Sequence, residues 1–439
     1  MAFGGGTWLT QNKILPGTYI NFVGAARASA NLSDRGVAAL PLPLAWGPEG
    51  EVFELTAADF QRDSLTALGY PFDAPEMFPL RELYKNAKTC YLYRLSGVTT
   101  KATCSLSSGV VATAKYGGAR GNALRLVIAA NVDDPAMYDV MTYMGDALVD
   151  TQEGVAAAAD NAFVCFSDAA LEATAGADFS GGTDGTVTGT AHQAALDKLE
   201  SYAYNALGCV ATDNTTKNLY VQYCKRMRDE VGAKFQLVLH KAAGADYEGV
   251  ISVANDVQDP DKQALVYWVL GAQAGCEVNR SVTNRRYDGE LAVDTSYTQK
   301  QLEEAIKVGE FVIHNANGVP RVLSDINALV TLSPEKGADF QNNQTVRVCD
   351  QIATDTAALF HARYLGTVPN DSAGRMSLWN DITKLIQELE RIRAVEGYDT
   401  KILTVEQGAD KRAVLALFGE PGIMITSAMS QLYMAVYIA

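Results

Sequence analysis

Apolar positions along the 439-residue chain follow two periods, and the switches between them mark its parts. Residues 1–16 are Gly-rich, lack periodicity and end at Pro16, so they read as an extended arm; TYINFV (18–23) then alternates as a strand does. RGVAALPLPLAWGPEGEVFEL (35–55) predicts two strands around a turn at Gly47 and Pro48. RELYKNAK (81–88) predicts a helix leading into the strand TCYLYRL (89–95), an α/β alternation. After Gly97 the texture changes. Up to about Gly185 the chain is rich in Ser, Thr and Gly, with short strands such as RLVIAANV and AFVCFS and no long helical period. This predicts a small β-rich domain inserted into the α/β unit, with SGGTDGTVTGT (180–190) as its exit linker.

The α/β pattern resumes at Ala191. Helices are predicted over 191–202, 217–232 (closed by Gly232), 263–275 and 298–309, with a buried strand KFQLVLH (234–240) and a strand EFVIHN (310–315). The helix 263–275 carries small residues suited to close packing. Two longer helices follow. Cys349, Ile352, Thr356, Leu359 and Phe360 share a face of the first; Leu378, Ile382, Leu385, Ile386, Leu389 and Ile392 keep the helical period in the second. KILTVE, RAVLALF and QLYMAVYIA are strand candidates, and the last, with no sequel in the sequence, is expected to pair with something. The fold class expected is a multidomain α+β or α/β protein. Its α/β core comes from N- and C-terminal parts, with an inserted β-rich domain and extended terminal arms. The divisions expected are an arm (1–24), a first core part (25–97), the β-rich insert (98–185), a second core part (186–335) and a C-terminal domain (336–439).

Charge narrows the function classes. Lys and Arg number 36 against 51 Asp and Glu, a net charge of −15, and no more than two basic residues are adjacent. Nucleic acid is therefore not an expected partner. Seven cysteines lie scattered without a C-x-x-C pair, which argues against a disulfide framework or zinc site and for free thiols made in a reducing compartment. The opening residues lack the basic-then-apolar pattern of a signal peptide, and nowhere do 18 apolar residues run together, so membrane insertion is not expected and release would be by lysis.

Candidate chemistry is sparse. YGGARGNALRL (116–126) raises the question of a phosphate loop, but it lacks the Walker lysine, and its glycines at 117, 118 and 121 precede a strand pattern rather than a helix. A tight turn is the simpler reading. His192, His240, His314 and His361 stand isolated, no G-x-S-x-G elbow occurs, and GGTDGTVTGT lacks the acidic ligands of a calcium loop. Arg285 and Arg286 could bind an anion but suit a packing or intersubunit role better. No catalytic residue, cofactor or metal is assigned. Two strand-like ends without an active site favour a protein whose product is an assembly.

The segments LPGTYINF, LAWGPEG, YLYRL, AKYGGARGNALRLVI, TYMGDALVDTQ, ADYEGVISVAND, SVTNRRYDGE, VLSDINALVTLSPEKGADFQNNQTVRVCDQIA, YLGTVPNDSAGR and LYMAVYIA, in this order, resemble the tail sheath proteins of contractile phages and phage-tail-like bacteriocin particles. The resemblance covers nearly the whole chain and is closest to the branch with one small inserted domain. It implies a virion structural protein that stacks as hexameric rings around an inner tail tube, between baseplate and tail terminator proteins, and contracts to drive the tube through a target envelope. It implies assembly in the bacterial cytoplasm and then a place in an extracellular tail or tail-like particle. It also implies β-strand exchange between subunits, carried here by Thr18, Tyr19, Ile20, Asn21, Phe22 and Val23 and by Leu432, Tyr433, Met434, Ala435, Val436, Tyr437 and Ile438. The Glu-Lys pair that the family usually carries before its last strand is absent, so those contacts are not transferred. The resemblance places YGGARGNALRL in the small domain as a structural turn. Two alternatives remain at this point, a tail-associated adhesin and an α/β enzyme with an unrecognised site. Electron microscopy would separate them as tubes, fibres or discrete particles.

Overall fold

The computed structural model describes residues 32–258 and 261–438. The first core part runs β1 (Val37–Pro43), β2 (Val52–Thr56), α1 (Ala57–Leu68), α2 (Phe78–Tyr84) and β3 (Thr89–Leu95). The turn expected at Gly47 and Pro48 separates β1 from β2. α1 had no counterpart in the periodicity; Thr56 caps it by accepting from Asp59 N, and Gly69 closes it in the left-handed conformation. α2 starts three residues earlier than its pattern suggested because Pro79 suits a first helical turn.

The insert contains β4 (Thr103–Leu106), β5 (Gly109–Ala114), β6 (Leu124–Ala130), β7 (Tyr138–Met144), β8 (Ala147–Val155), β9 (Val164–Phe166) and β10 (Thr174–Asp178). They form a four-stranded sheet, β10-β6-β7-β8, and a three-stranded one, β4-β5-β9, both antiparallel. Alternate residues such as Leu124, Leu126, Ile128, Val111 and Val164 share one buried cluster, the pattern of two sheets packed face to face.

The chain returns through α3 (Gly189–Leu199), β11 (Ala206–Cys209), α4 (Asn214–Arg226), β12 (Gln236–His240), β13 (Val250–Val253), α5 (Leu265–Gly275), α6 (Gln299–Lys307), β14 (Glu310–Phe311), β15 (Ile313–Ala316) and β16 (Val319–Val322). The core sheet has seven strands in the order β14-β13-β12-β11-β1-β3-β2, parallel except for β2. Alternate side chains feed opposite faces: Leu40, Val238 and Ile251 join α5 on one, and Ala39, Leu237 and Leu239 join α4 on the other. In α5, Gly271 and Gly275 leave room for the backbone of Leu83 and Asn86, the close packing its small residues suggested. EFVIHN is not one strand. Asn255 donates to Ile313 O and accepts from Ile313 N, both at 2.7 Å, and this takes the place of a ladder partner. The chain leaves the sheet there, and β15 pairs with β16 instead.

The last part holds α7 (Asn343–Arg363), α8 (Ser372–Arg391), β17 (Val395–Glu396), β18 (Leu403–Gln407), β19 (Val414–Phe418) and β20 (Met424–Ile425). Two compact units divide the chain. Residues 33–354, 389–398 and 423–438 make one; residues 355–388 and 399–422 make the other. In the second, β18 and β19 form an antiparallel hairpin whose inner face, Leu403, Val405, Val414 and Phe418, packs on Leu359, Phe360, Leu378 and Trp379.

The described part of QLYMAVYIA, residues 431–438, is not in a strand. Residues 426–438 pair with no strand among the described residues. The reason is physical: a strand needs a partner edge, and the described part of this segment is given none within its own chain. The other predicted exchange strand, residues 18–23, lies outside the described residues.

Candidate assembly site

The tail is fixed at its root and open beyond it. β20 pairs with β17, Thr426 N donates to Ala394 O (3.0 Å), and Ala428 N donates to Gln344 Oε1 (3.1 Å). From there the chain exposes a continuous apolar run. Leu432 is 86% and Ile438 93% accessible, with Tyr433, Met434, Val436 and Tyr437 also exposed. Solvated apolar runs of this density mark interaction surfaces.

The hairpin offers a surface of the same character. β19 reads VLALF, apolar on both faces, and its outward Leu415 and Leu417 are 45% and 53% exposed. β18 reads LTVEQ and alternates, turning Thr404 and Glu406 outward. Among the described residues the hairpin is a two-stranded sheet, and sheet edges are a known place for another strand to add.

YGGARGNALRL is the joint between insert and core. Arg94, 1% exposed on β3, donates to Leu44 O (2.7 Å), Gly47 O (3.0 Å), Glu49 Oε1 (3.3 Å) and Gly117 O (2.8 Å). Gly117 N donates to Glu49 Oε1 and Ala119 N to Asp184 Oδ1, so carboxylates already hold backbone donors that a phosphate would require. Gly118 sits at φ +124° against Ala45 O, where a side chain would be strained and crowded. Arg120 ties the turn down: Nε donates to Gly69 O (2.7 Å) and the guanidinium lies 4.1 Å from the Tyr70 ring centre. Trp46 of the core is covered by Tyr116 and Phe163 of the insert.

A buried polar network fixes the first half of α7, and the periodicity gave no sign of it. Arg347 donates to Gln273 Oε1 (2.7 Å), Arg280 O (2.7 Å) and Asp325 Oδ2 (3.3 Å). Asp325 Oδ1 also accepts from Gln273 and Asn343. Arg228 grips Asp350 with two bonds of 2.7 and 2.8 Å. Arg35 donates to Cys276 O and Gln273 O; burial, then the nearby Arg347 charge, lowers its pKa to about 9. Paired buried charges of this kind hold one geometry because leaving any of them alone is costly. The face expected from Cys349, Ile352 and Thr356 is only half-buried, while Arg347, Asp350 and Gln351 are enclosed.

The groups that an enzyme would use are placed otherwise. His192 Nδ1 lies 3.0 Å from Tyr220 OH, and burial lowers its pKa. His240 and Lys241 both hold Asp256 near the carboxyl ends of the parallel strands, and burial followed by Lys241 lowers the imidazole's pKa. The neighbouring Cys209 thiol is pushed up to about 12 by burial. His314 lies on β15 and His361 on α7. Arg285 donates to Asn86 Oδ1, and the backbone of Arg286 bridges that of Arg321 while its side chain is exposed. All seven thiols are free. Among the described residues no group of His, Cys, Asp and Glu could hold a metal ion, and no helix is long and apolar enough to cross a membrane.

An exposed apolar tail and a hairpin with outward leucines, without a recognisable catalytic cluster among the described residues, fit the class of structural proteins that join other chains. Sequence profiles make that class specific. The chain matches the tail sheath protein Gp18 domain III N-terminal region at 35–95, the phage tail sheath protein beta-sandwich domain at 97–184, the central domain at 185–328 and the phage tail sheath C-terminal domain at 335–439. It is 32% identical to the phage-like element PBSX protein XkdK of Bacillus subtilis over 94% of this chain and 95% of that one. The crystal structure of a sheath tail protein from Desulfitobacterium hafniense is 35% identical, with a TM-score of 0.81 over 93% of this chain and 99% of that one. The chain belongs to the phage tail sheath protein family. Its fold extends to the helical sheath of the anti-feeding prophage in the contracted state, at 13% identity and a TM-score of 0.57 over 97% of this chain and 99% of that one.

Proposed function

We propose that this chain polymerises as stacked hexameric rings around an inner tail tube, between a baseplate and a tail terminator, and contracts to drive the tube through a target envelope. Assembly takes place in the bacterial cytoplasm and lysis releases the particle. The observation that carries the reading is the exposed apolar segment 432–438, which is supported at its root and lacks a strand assignment. Another copy's hairpin edge supplies what it lacks. Each added backbone bond contributes about 0.5–1.5 kcal/mol, so one strand contributes a few, repeated along the polymer. Residues 18–23 make the second exchange. The work of contraction comes from two packings of rigid subunits that differ in free energy, set at assembly, with no catalytic step.

Isolated particles triggered by acid or mild denaturant, in nucleotide-free buffer with chelator, are expected to shorten and widen under the electron microscope. Sheaths that stay extended there and shorten only on adding ATP and magnesium would overturn this reading.

A further inference from the structure

We infer that one face of α7 anchors both ends of the chain, Gln344 holding the root of the tail and Gln351 the root of the N-terminal arm, so that a pull arriving through one arm crosses to the other along this helix. The inference rests on the strand-exchange reading above and adds the residues inside the subunit that transmit the pull.

Gln344, Arg347 and Gln351 stand at i, i+3 and i+7, which puts them on one face of α7. They are 2%, 1% and 3% exposed. A buried amide needs hydrogen-bond partners, and both glutamines find theirs where the chain enters and leaves the body. Gln344 Nε2 donates to Thr426 O (3.0 Å), and its Oε1 accepts from Ala428 N (3.1 Å). Gln351 Nε2 donates to Ser33 Oγ (2.7 Å) and Ser33 O (3.3 Å), one residue after the described chain begins. At 1.5 Å per residue the two anchors lie roughly 10 Å apart along the helix.

Arg347, between them, keeps that stretch of helix in the body. It donates to the side chains of Gln273 and Asp325 and to Arg280 O, and one turn on Asp350 is gripped by Arg228. The N-terminal root meets the same point. Arg35 donates to Gln273 O (3.2 Å) and Cys276 O (2.9 Å), so Gln273 is held by Arg347 through its side chain and by Arg35 through its backbone. Ser33, Gln273, the three α7 residues and Ala428 all belong to one compact unit. The core sheet and the insert lie in the chain between Arg35 and Gln344, and α8 and the hairpin between Gln351 and Thr426. A pull on the two ends reaches those parts only after an anchor gives way.

The test pulls the full chain by handles on its first and last residues in optical tweezers. Q344M and Q351M keep the length of the side chain and remove its hydrogen bonds. Forced unfolding is governed by the unfolding barrier along the pulled path, so each variant is expected to lower the first rupture force by roughly half. The control is I128V, which removes a buried methyl group from the insert; it is expected to lower the melting temperature and leave the first rupture force as in the parent. Rupture forces unchanged in both glutamine variants, or lowered equally in I128V, would overturn the inference. Tubes separate this outcome from the reading beneath it. Acid-triggered tubes of the Q344M/Q351M chain are expected to break into short pieces where parent tubes stay whole, and double-variant tubes that stay whole would overturn the inference with strand exchange intact. A parent chain that forms no tubes would overturn strand exchange, and the rupture forces would still decide the anchors.

Discussion

Arg94 shows how much one residue carries here. Its guanidinium donates to three backbone carbonyls, two from the core and Gly117 O from the insert. R94A is expected to cost about 3–5 kcal/mol, read as a lowered melting temperature, because the carbonyls stay buried without a donor. E49Q, at a half-exposed partner, is expected to cost under about 1 kcal/mol. His192 gives a second test. Burial lowers its pKa from 6.5, so the unfolded chain takes the proton more readily. Its stabilising contribution is present above the unfolded value and is lost as pH falls through the folded one. Between about pH 7.5 and about pH 5.5, H192Q is expected to lose less melting temperature than the parent chain; equal losses would refute the assignment.

Elements with a strong period were legible in sequence, and those set by tertiary partners were not. α8 keeps its apolar period and was read from it, as was β3, whose bounds match the pattern. α7 was read as a helix, and Leu359 and Phe360 of its expected face do pack in a core cluster; in its first half Arg347 and Asp350 are enclosed instead, by partners far along the chain, Gln273 and Arg228. β14 and β15 read as one strand because the interruption comes from Asn255, a side chain that periodicity does not see. The tail read as a strand because of its apolar, β-prone residues; among the described residues it has no strand partner within the chain. The insert is expected to be removable. Gly97 and Gly185 approach backbone to backbone at its base, so a short Gly/Ser linker from Gly97 to Thr186 spans the gap. With W46Q to relieve the exposed ring, the shortened chain is expected to fold and to form tubes; a folded chain without tubes would assign the insert a role in assembly.

At the scale of the whole molecule, buried ion pairs and the Arg94 clamp make the larger unit a single stiff body, and the tail leaves that body from a fixed root. Stiff bodies joined by extended segments can change their mutual packing without changing internally, as the contraction proposed above would require. The central claim is that segment 432–438 makes the polymer. The most direct measurement is electron microscopy and sedimentation of the purified chain beside one ending at Gln431. The account predicts tubes or stacked rings from the full chain and folded, soluble monomers with an unchanged melting temperature from the shortened one. Normal tubes from the shortened chain would contradict it.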